Sequence, residues 1–339
     1  MKISVLKEER KGDLRVSLTP AATRRLIASN HTVMIETGAG IGSGFSDDAY
    51  QSAGASLAVS RQELYKGVDI LTFVKRPLED RDCLDFLPGE TILIGFLDPF
   101  FNDGHLSRYQ NRNALALECI PKSAATEKMD ALAAMGKIAG DVAFEQAKNN
   151  LVSRNLPINP NVLILGAGNS GLAAAEAAAE NGFNPILCAH STPVSVRDAW
   201  KVVSFEAAQP IQDQQAQVAQ IIRHKKPSLI IATAHRRASA QAPVLINEET
   251  IAAIDWPVVV EDLTGKAGGN TPYTKIDAVE KPTPFVLIHH RSNYPSQRPE
   301  QASEAFAGCM EHIIGELDNF LRTNPAMRAH PFLGQAFLS

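Results

Sequence analysis

The chain has 339 residues, of which 45% are hydrophobic and 21% are charged, and its formal net charge at pH 7 is -4. A chain of this length favours two domains, and so small a net charge gives no indication of binding to nucleic acid or to an anionic membrane surface. The N-terminus is charged, and no apolar stretch reaches the roughly 18 to 20 residues that a membrane helix needs. These features predict a cytoplasmic protein without membrane insertion.

Short apolar runs in the first third of the chain predict buried strands, and the segments between them predict helices. Thr19 is placed to cap a helix that begins at Pro20, and Ser46 is placed to cap a second one. Strands that alternate with helices are typical of a parallel α/β sheet. The predicted strands lie at residues 2–6, 32–37, 69–74, 91–97 and 114–120.

A long helical stretch from about Thr126 to Asn150 has no strand partner, and we interpret it as the connection to a second domain. A second long amphipathic helix at 303–324 is expected to return to the first domain. The predicted domains are therefore 1–130 plus 305–339, and 131–304. Five further apolar runs predict the strands of the second domain: 161–166, 184–189, 227–234, 257–263 and 284–289.

The sequence GAGNSG places Gly166, Gly168 and Gly171 at G-x-G-x-x-G spacing between a predicted strand and a predicted helix. The first glycine of such a loop permits the tight turn, the second lets the backbone approach a pyrophosphate, and the third permits close helix–strand packing. The helix N-terminus adds unpaired N–H groups and partial positive charge. The motif predicts a dinucleotide-binding Rossmann domain, with Asn169 and Ser170 among its cofactor contacts.

The loop departs from the usual pattern about 20 residues further on, where an acidic residue normally accepts hydrogen bonds from the adenosine ribose. The chain has Ala189, His190 and Ser191 at this point. One interpretation is a cofactor with a 2′-phosphate, which His190, Ser191 and Arg197 could contact. The other is that the site has a weakened affinity or none. The predicted cofactor is NAD or NADP, and the choice stays open.

The four cysteines, Cys83, Cys119, Cys188 and Cys309, are widely separated and include no CxxC pair. Disulfide frameworks and metal sites need closer or patterned spacing. The sequence therefore favours buried, reduced thiols and predicts no metal site.

Several motifs occur in order along the chain. They are KEER (7–10), LRVSLTP (14–20), VMIETGAGIGSGFSDDAY (33–50), AGA (53–55), VKRP (74–77), KMDAL (128–132), IAG (138–140), GAGNSG (166–171), EDL (261–263), GGN (268–270) and NYPS (293–296), with Ser303 beyond them. On these residues the chain resembles the alanine dehydrogenase and NAD(P) transhydrogenase α-subunit family. It is most similar to the transhydrogenase branch and is a divergent member.

The resemblance implies two Rossmann-like, doubly wound α/β domains that are joined by long helices and have a cleft between them. Arg15 and Lys75 match the pair that holds the substrate carboxylate and carbonyl in alanine dehydrogenases. A guanidinium can bind a carboxylate through two hydrogen bonds, and an ammonium can polarise the carbonyl that receives hydride. Taken singly, Arg15 could equally form a surface ion pair, and Lys75 could end a strand in solvent.

Two departures remove the proton-handling residues of the dehydrogenases: Asp98 stands where they have a catalytic histidine, and Lys266 where they have a catalytic aspartate. A role for Asp98 as acid or base is therefore a separate hypothesis, based on its carboxylate. In the transhydrogenase branch an arginine, a glutamine and an aspartate orient the nicotinamide. Here Lys122 and Glu127 replace the first two, and only Asp130 is kept.

Further candidate contacts follow predicted strands at the carboxyl edge of the second sheet, where ligands of open α/β folds bind. Asp262, Gly269, Asn270 and Asn293 are expected to face the cofactor, as the resemblance implies. The basic residues 235–237 could meet a phosphate or a carboxylated substrate, or could be solvated loop charge.

The sequence thus predicts an NAD(P)-binding, transhydrogenase α-like oxidoreductase that transfers hydride at nicotinamide C4. One alternative is a stand-alone amino-acid or 2-oxo-acid dehydrogenase that uses Arg15 and Lys75. Another is a non-catalytic dinucleotide-binding subunit or sensor. The expected partners are a small-molecule substrate or a transhydrogenase partner subunit, with no nucleic acid, and the resemblance implies a homodimer or a higher homo-oligomer.

Overall fold

The structure is a computed structural model, and it describes residues 1–78, 84–101, 104–109, 111–190, 200–206, 209–236 and 239–338. The chain forms two compact units. Unit 1 comprises Met1–Met135 and Arg298–Ser339, and unit 2 comprises Gly136–Gln297. The domain boundaries expected from the sequence, at residues 130 and 304, differ from these divisions by a few residues.

Unit 1 contains a six-stranded sheet in the order β3-β2-β1-β4-β5-β6, and all of its pairings are parallel. The order reverses between β1 and β4, and ligands of open α/β sheets bind at the carboxyl ends of the strands beside such a reversal. The strands are β1 (Lys2–Val5), β2 (Thr32–Glu36), β3 (Ser56–Ala58), β4 (Ile70–Lys75), β5 (Ile92–Phe96) and β6 (Asn113–Ala116).

Unit 2 contains a seven-stranded sheet, which is parallel except at one edge. Its strands are β7 (Asn161–Leu165), β8 (Asn184–Ala189), β9 (Lys201–Ser204), β10 (Leu229–Ala232), β11 (Val258–Asp262), β12 (Val279–Glu280) and β13 (Val286–His289). Their order is β12-β13-β11-β10-β7-β8-β9, in which β12 is antiparallel to β13. The reversal falls between β7 and β10. The predicted fold class of two doubly wound α/β domains is therefore confirmed.

The described helices alternate with the strands, as the sequence predicts. Thr19 accepts a hydrogen bond from the Ala22 N–H, and Ser46 accepts one from the Ala49 N–H, so both predicted caps form. No helix in the described part of the chain has the length and apolar character to span a membrane. The helices are α1 (Pro20–Ala28), α2 (Asp47–Ser52), α3 (Arg61–Tyr65), α4 (Ala131–Ser153), α5 (Asn169–Glu180), α6 (Ile211–Lys225), α7 (Glu248–Ala252) and α8 (Pro299–Leu321).

The C-terminal helix α8 belongs to unit 1 and packs on the N-terminal part of that unit. Its Ser303 hydroxyl accepts a hydrogen bond from the Val16 N–H at 3.0 Å, and its Glu311 pairs with Arg25 at 2.7 Å. Its buried face includes Phe306, whose ring lies edge-on to that of Phe96, with 5.6 Å between centroids. The tail of the chain thus completes the core of the unit that the N-terminus begins.

The sixth strand is shorter than the apolar run at 114–120 predicts. β6 ends at Ala116, and the chain continues as a 3-10 helix over Leu117–Cys119. This turn brings the Glu118 carboxylate to the end of β5, where it accepts hydrogen bonds from the N–H groups of Leu97 and Asp98 at 3.2 and 2.7 Å. Because the chain leaves the strand here, the Glu118 carboxylate can accept hydrogen bonds from two backbone N–H groups.

Candidate functional site

The glycine loop of unit 2 forms the turn from β7 into α5, and its three glycines have different surroundings. Gly166 has φ +96°, and a Cβ there would lie 2.9 Å from the Thr233 hydroxyl oxygen. A Cβ on Gly171 would overlap the carbonyl oxygen of Gly166. Gly168 has φ -78°, and among the described residues no atom beyond Gly168 and its adjoining backbone lies within 4 Å of the position of its Cβ. Space is therefore open where a pyrophosphate would approach the backbone.

The first turn of α5 offers backbone donors beside this space. Gly168 is the N-cap residue and supplies no side-chain acceptor, so the positive end of the helix dipole is not capped by a side chain of this residue, as is typical of helix N-termini that bind anions. The side chains of Asn169 and Ser170 lie against α4: a Cβ on Gly136 would be 3.3 Å from Asn169 Cβ and 3.2 Å from Ser170 Oγ. Because the side chains face α4, we expect these two residues to contact a cofactor through their backbone N–H groups.

A pocket of about 660 Å³ lies beside the loop, at the carboxyl ends of β7, β8 and β10. The size is in the range of small-molecule sites. None of the described lining residues is Asp or Glu, whereas Arg236 carries a positive charge and His190 and His235 offer imidazole nitrogens. The pocket is therefore suited to an anionic ligand.

The end of β8 has no carboxylate at the ribose position. Ala189 is its last residue and is buried, and the exposed His190 follows it. The His190 ring lies edge-on to Phe205, with 5.8 Å between centroids. Ser191 and Arg197 lie outside the described residues, so their predicted contacts stay predictions.

The loop after β10 is held in place by Asn270, which is fully buried. Asn270 Oδ1 accepts a hydrogen bond from the Ala234 N–H at 2.9 Å. Its Nδ2 donates to the carbonyl oxygens of Ala234 and Pro243 at 2.9 and 2.8 Å. One side chain thus fixes both ends of the segment from Ala234 to Pro243, much of which lines the pocket.

Asp262, at the end of β11, in turn fixes Asn270. Its carboxylate is fully buried and accepts hydrogen bonds from the Asn270 N–H at 2.7 Å and the Thr274 hydroxyl at 2.6 Å. The Thr264 N–H and hydroxyl donate to its other oxygen at 2.9 and 2.6 Å. A Cβ on Gly269 would overlap Thr274, so this loop is tightly packed. Asp262 and Asn270 have the geometry of positioning residues, and they are not among the lining residues of the pocket.

Asn293, the last of the predicted cofactor contacts, lies in the turn after β13 and is also not among the pocket's lining residues. Its carbonyl oxygen accepts a hydrogen bond from the Ser296 N–H at 3.0 Å, which closes this turn. Its role toward a cofactor stays a prediction.

A buried polar cluster in unit 2 was not predicted from the sequence. The Tyr294 hydroxyl donates to Glu261 Oε2 at 2.9 Å, and His289 Nδ1 lies 3.4 Å from Glu261 Oε1. Burial raises the pKa of Glu261 to about 7 and lowers the pKa of His289 to about 4. A protonated carboxyl beside a neutral imidazole avoids placing charge in the core.

In unit 1, charged side chains collect where β1 and β4 end. Arg15 is 3% exposed, and its Nε and Nη2 donate to the two oxygens of Asp13 at 2.8 and 2.6 Å. Its Nη1 lies 3.3 Å from the sulfur of Met135. Burial acts to raise the pKa of the Asp13 carboxyl, but the bonded Arg15 outweighs this effect and holds the pKa below its ordinary value. Such a two-pronged pair fixes the guanidinium plane.

Lys75, at the end of β4, belongs to the same cluster. Its Nζ lies 4.0 Å from Asp13 Oδ2. Its N–H and that of Val74 donate to Glu8 Oε1 at 2.9 and 3.0 Å, which fastens the end of β4 to the loop after β1. Burial and the neighbouring Asp13 raise the pKa of Glu8 to about 7.

The other two predicted catalytic residues have structural partners. The Asp98 carboxylate lies 3.8 Å from Arg76 Nε, and burial raises the pKa of Glu118, which receives the Asp98 N–H, to about 7. Asp130 is buried, and its Oδ1 accepts a hydrogen bond from the Ala133 N–H at 2.9 Å, so it caps α4. A catalytic role for either residue stays a prediction.

Comparison with known proteins identifies the relationship. The family model for the alanine dehydrogenase/PNT N-terminal domain matches residues 4–139, and that for the C-terminal domain matches residues 152–336. The chain belongs to the alanine dehydrogenase/PNT family. The resemblance inferred from its motifs is confirmed.

Two relatives in this family are named "NAD(P) transhydrogenase subunit alpha". The protein of Cereibacter sphaeroides is 30% identical over 94% of this chain and 65% of its own length. The protein of Haemophilus influenzae (strain ATCC 51907 / DSM 11121 / KW20 / Rd) is 26% identical over 93% of this chain and 65% of its own length. The chain thus spans about two thirds of the length of these relatives, at 65%.

Alanine dehydrogenases are similar at somewhat lower identity. The alanine dehydrogenase of Mycobacterium tuberculosis (strain ATCC 25618 / H37Rv) is 23% identical over 96% of this chain and 91% of its own length. Among solved structures, a transhydrogenase from Sinorhizobium meliloti has a TM-score of 0.79 at 23% identity and covers 95% of this chain and 96% of its own. An L-alanine dehydrogenase has a TM-score of 0.80 at 22% identity and covers 99% and 94%. These structures share the fold of this family member.

Within the alanine dehydrogenase/PNT fold, the predicted residues separate into groups. Unit 2 brings Gly166, Gly168 and His190 to one pocket, and unit 1 brings Arg15 and Lys75 together around the carboxylate of Asp13, which no sequence motif predicts. Among the described residues, no group of three or more His, Cys, Asp or Glu side chains is arranged to hold a metal ion. The described cysteines are free thiols: Cys188 and Cys309 are buried, as expected, whereas Cys119 is half-buried, and Cys83 lies outside the described residues.

Proposed function

We propose that this member of the alanine dehydrogenase/PNT family is an NAD(P)-dependent oxidoreductase that transfers hydride to or from C4 of a nicotinamide ring. The observation that carries the proposal is the open space beside Gly168, at the N-terminus of α5 and at the reversal of the strand order. A backbone that can be approached there, with helix N–H groups beside it, fits a pyrophosphate. The names of the relatives support the same chemistry.

The residues of unit 2 fit the cofactor in a defined way. The N–H groups of the glycine loop and of the first turn of α5 would hold the pyrophosphate, and the pocket beside His190 would take the adenosine. A bound nicotinamide supplies the hydride donor or acceptor. Asp262 and Asn270 orient the loop after β10 and so shape the wall of the pocket.

We propose a transhydrogenase α-like activity first, because the relative with that name reaches 30% identity whereas the alanine dehydrogenase reaches 23%. A partner subunit that binds a second dinucleotide is part of this proposal. A cytoplasmic location and a homodimer or higher oligomer are proposed with it. Cell fractionation and analytical ultracentrifugation test these last two points, and a monomer at assay concentration would contradict the second.

The charged cluster of unit 1 supports a second candidate, an amino-acid or 2-oxo-acid dehydrogenase. Asp13 fixes the Arg15 guanidinium, and a substrate carboxylate would have to take the place of the Met135 sulfur beside Nη1, while the Lys75 ammonium would polarise a carbonyl. Glu8, with a pKa of about 7, can gain or lose a proton near neutral pH. The cluster thus contains an anion-binding group, an electrophile and an acid–base group.

Binding and turnover measurements on the purified full chain test the proposal. Calorimetric titration with NADH and NADPH should show binding, and failure of both would contradict the proposal. Hydride exchange between a reduced dinucleotide and an oxidised analogue, with and without membranes of the source organism, tests the first candidate. Oxidation of reduced cofactor by 2-oxo acids with ammonium tests the second, in which Lys75→Ala should abolish turnover and leave cofactor binding intact. Binding without turnover in any pairing would identify a non-catalytic sensor instead.

A further inference from the structure

We propose that the pocket of unit 2 selects the nicotinamide dinucleotide that carries a 2′-phosphate on its adenosine ribose. This inference rests on the dinucleotide binding proposed above, and it adds the choice between the two cofactors. Three features of the described residues carry it: the missing carboxylate at the end of β8, the guanidinium and imidazole groups in the pocket lining, and the hydrogen bonds that hold Ala234 and Pro243 on either side of Arg236.

The strand register places the ribose position next to the glycine loop. Leu165 on β7 is the register partner of Cys188 on β8 and of Ala232 on β10. The residues that follow these strands therefore leave the sheet side by side, with Ala189 on one side of Gly166 and Thr233 on the other. A carboxylate at the end of β8 would accept hydrogen bonds from ribose hydroxyls and repel a phosphate. The methyl group of Ala189 does neither.

The described lining of the pocket can supply positive charge and has no carboxylate to oppose it. His190 lies at the end of β8, and His235 and Arg236 lie in the loop after β10. A guanidinium can donate two parallel hydrogen bonds to phosphate oxygens, and the imidazole of the exposed His190 offers a further donor. A dinucleotide without the 2′-phosphate would leave these donors to water.

The described residues on either side of Arg236 are held by hydrogen bonds. Asn270 bonds to the loop at Ala234 and again at Pro243. Within the loop, His235 Nε2 lies 2.8 Å from the carbonyl oxygen of Ser239. Because Ala234, His235, Ser239 and Pro243 are held by these bonds, binding a phosphate beside them requires little ordering of their backbone, and ordering is a main cost of association.

Calorimetry on the full chain tests the proposal with NADPH and NADH, and with the fragments 2′,5′-ADP and 5′-ADP as probes of the adenosine half. We expect NADPH and 2′,5′-ADP to bind at least about tenfold more tightly than their counterparts, since a hydrogen bond to a charged group contributes about that factor. Arg236→Ala should weaken NADPH binding by about tenfold and leave NADH binding unchanged. The matched control is Arg223→Ala, which removes the same charge from the last turn of α6, away from the lining residues.

A substitution that should reverse the cofactor preference separates a change in binding from a loss of folding. His190→Asp restores a carboxylate at an exposed position, so it should weaken NADPH binding and strengthen NADH binding while the melting temperature stays unchanged. Equal affinity of the wild type for the two dinucleotides, or a preference for NADH, would overturn this inference and leave the proposed function intact. Failure of both dinucleotides to bind would overturn the proposed function as well.

Discussion

Two glycines of one motif should respond in opposite ways to the same added methyl group. Gly168 has an ordinary φ of -78° and open space around its Cβ position, so Gly168→Ala introduces no clash. It removes conformational freedom from the unfolded chain, which stabilises a protein by about 0.4–1 kcal/mol at a compatible position. Gly171→Ala places a methyl on the Gly166 carbonyl oxygen and 3.0 Å from the Thr233 hydroxyl oxygen. Overpacking of this kind costs about 1–3 kcal/mol.

Although Gly168→Ala should not destabilise the protein, it should weaken dinucleotide binding. The methyl of Gly168→Ala would occupy the place where the pyrophosphate approaches the backbone, so dissociation constants for NADH and NADPH should rise by tenfold or more, on the order of 1.4 kcal/mol. Urea denaturation gives the free energy of unfolding of each variant, and calorimetry gives its affinity. A Gly168→Ala variant that is as stable as the wild type and binds both dinucleotides normally would refute the placement of the pyrophosphate.

Three further substitutions each test a contact within one unit. Asn270→Ala removes three side-chain hydrogen bonds that close the loop after β10, so the free energy of unfolding in urea should fall by about 3 kcal/mol, and an unchanged value would exclude this role. Asp13→Asn leaves the buried Arg15 without its carboxylate and should lower the free energy of unfolding by about 3–5 kcal/mol in the same measurement. An unchanged value would show that the pair does not form in solution. Glu261 has a pKa raised to about 7, so the folded state binds its proton more tightly than the unfolded state. The stability that this proton contributes is present below the ordinary carboxyl pKa and is lost as pH rises to about 7, and Glu261→Gln should remove that part of the pH slope of stability.

The strands and the glycine loop could be predicted because their signals are local. A parallel strand that is buried on both faces is a continuous apolar run, and the turn from β7 into α5 needs glycines at fixed spacing. β12 and β9 lack such runs: they are edge strands of two and four residues with exposed or half-buried side chains. Each pairs with the adjoining strand in the chain, β13 or β8, but its own residues carry too weak an apolar signal to be recognised as a strand.

The buried carboxylates were harder to foresee. Glu8, Glu118 and Glu261 resemble surface residues in the sequence, and Glu118 and Glu261 are buried and Glu8 half-buried because another strand end lies beside each of them. Asp262 and Asn270 were correctly placed at the carboxyl edge of the sheet, but their hydrogen bonds go to the protein's own loops. A sequence pattern gives the position along a strand, and the tertiary contacts decide whether a polar group there faces a ligand or the core.

In both sheets the strand order reverses between the first and the fourth strand of the unit. The chemical groups at these two points differ, and the difference indicates what each unit can bind. Unit 2 presents N–H groups, the Arg236 guanidinium and two imidazoles with no carboxylate in the described pocket lining, which suits phosphates. In unit 1, the positive charges of Arg15 and Lys75 exceed the single negative charge of Asp13 by one. The fourth member, Glu8, is close to half-protonated at neutral pH because its pKa is raised to about 7. The net charge of this cluster therefore changes from zero to +1 as the pH falls through 7, so its affinity for a monoanionic reactant should increase, and Glu8→Gln should make that affinity independent of pH in this range.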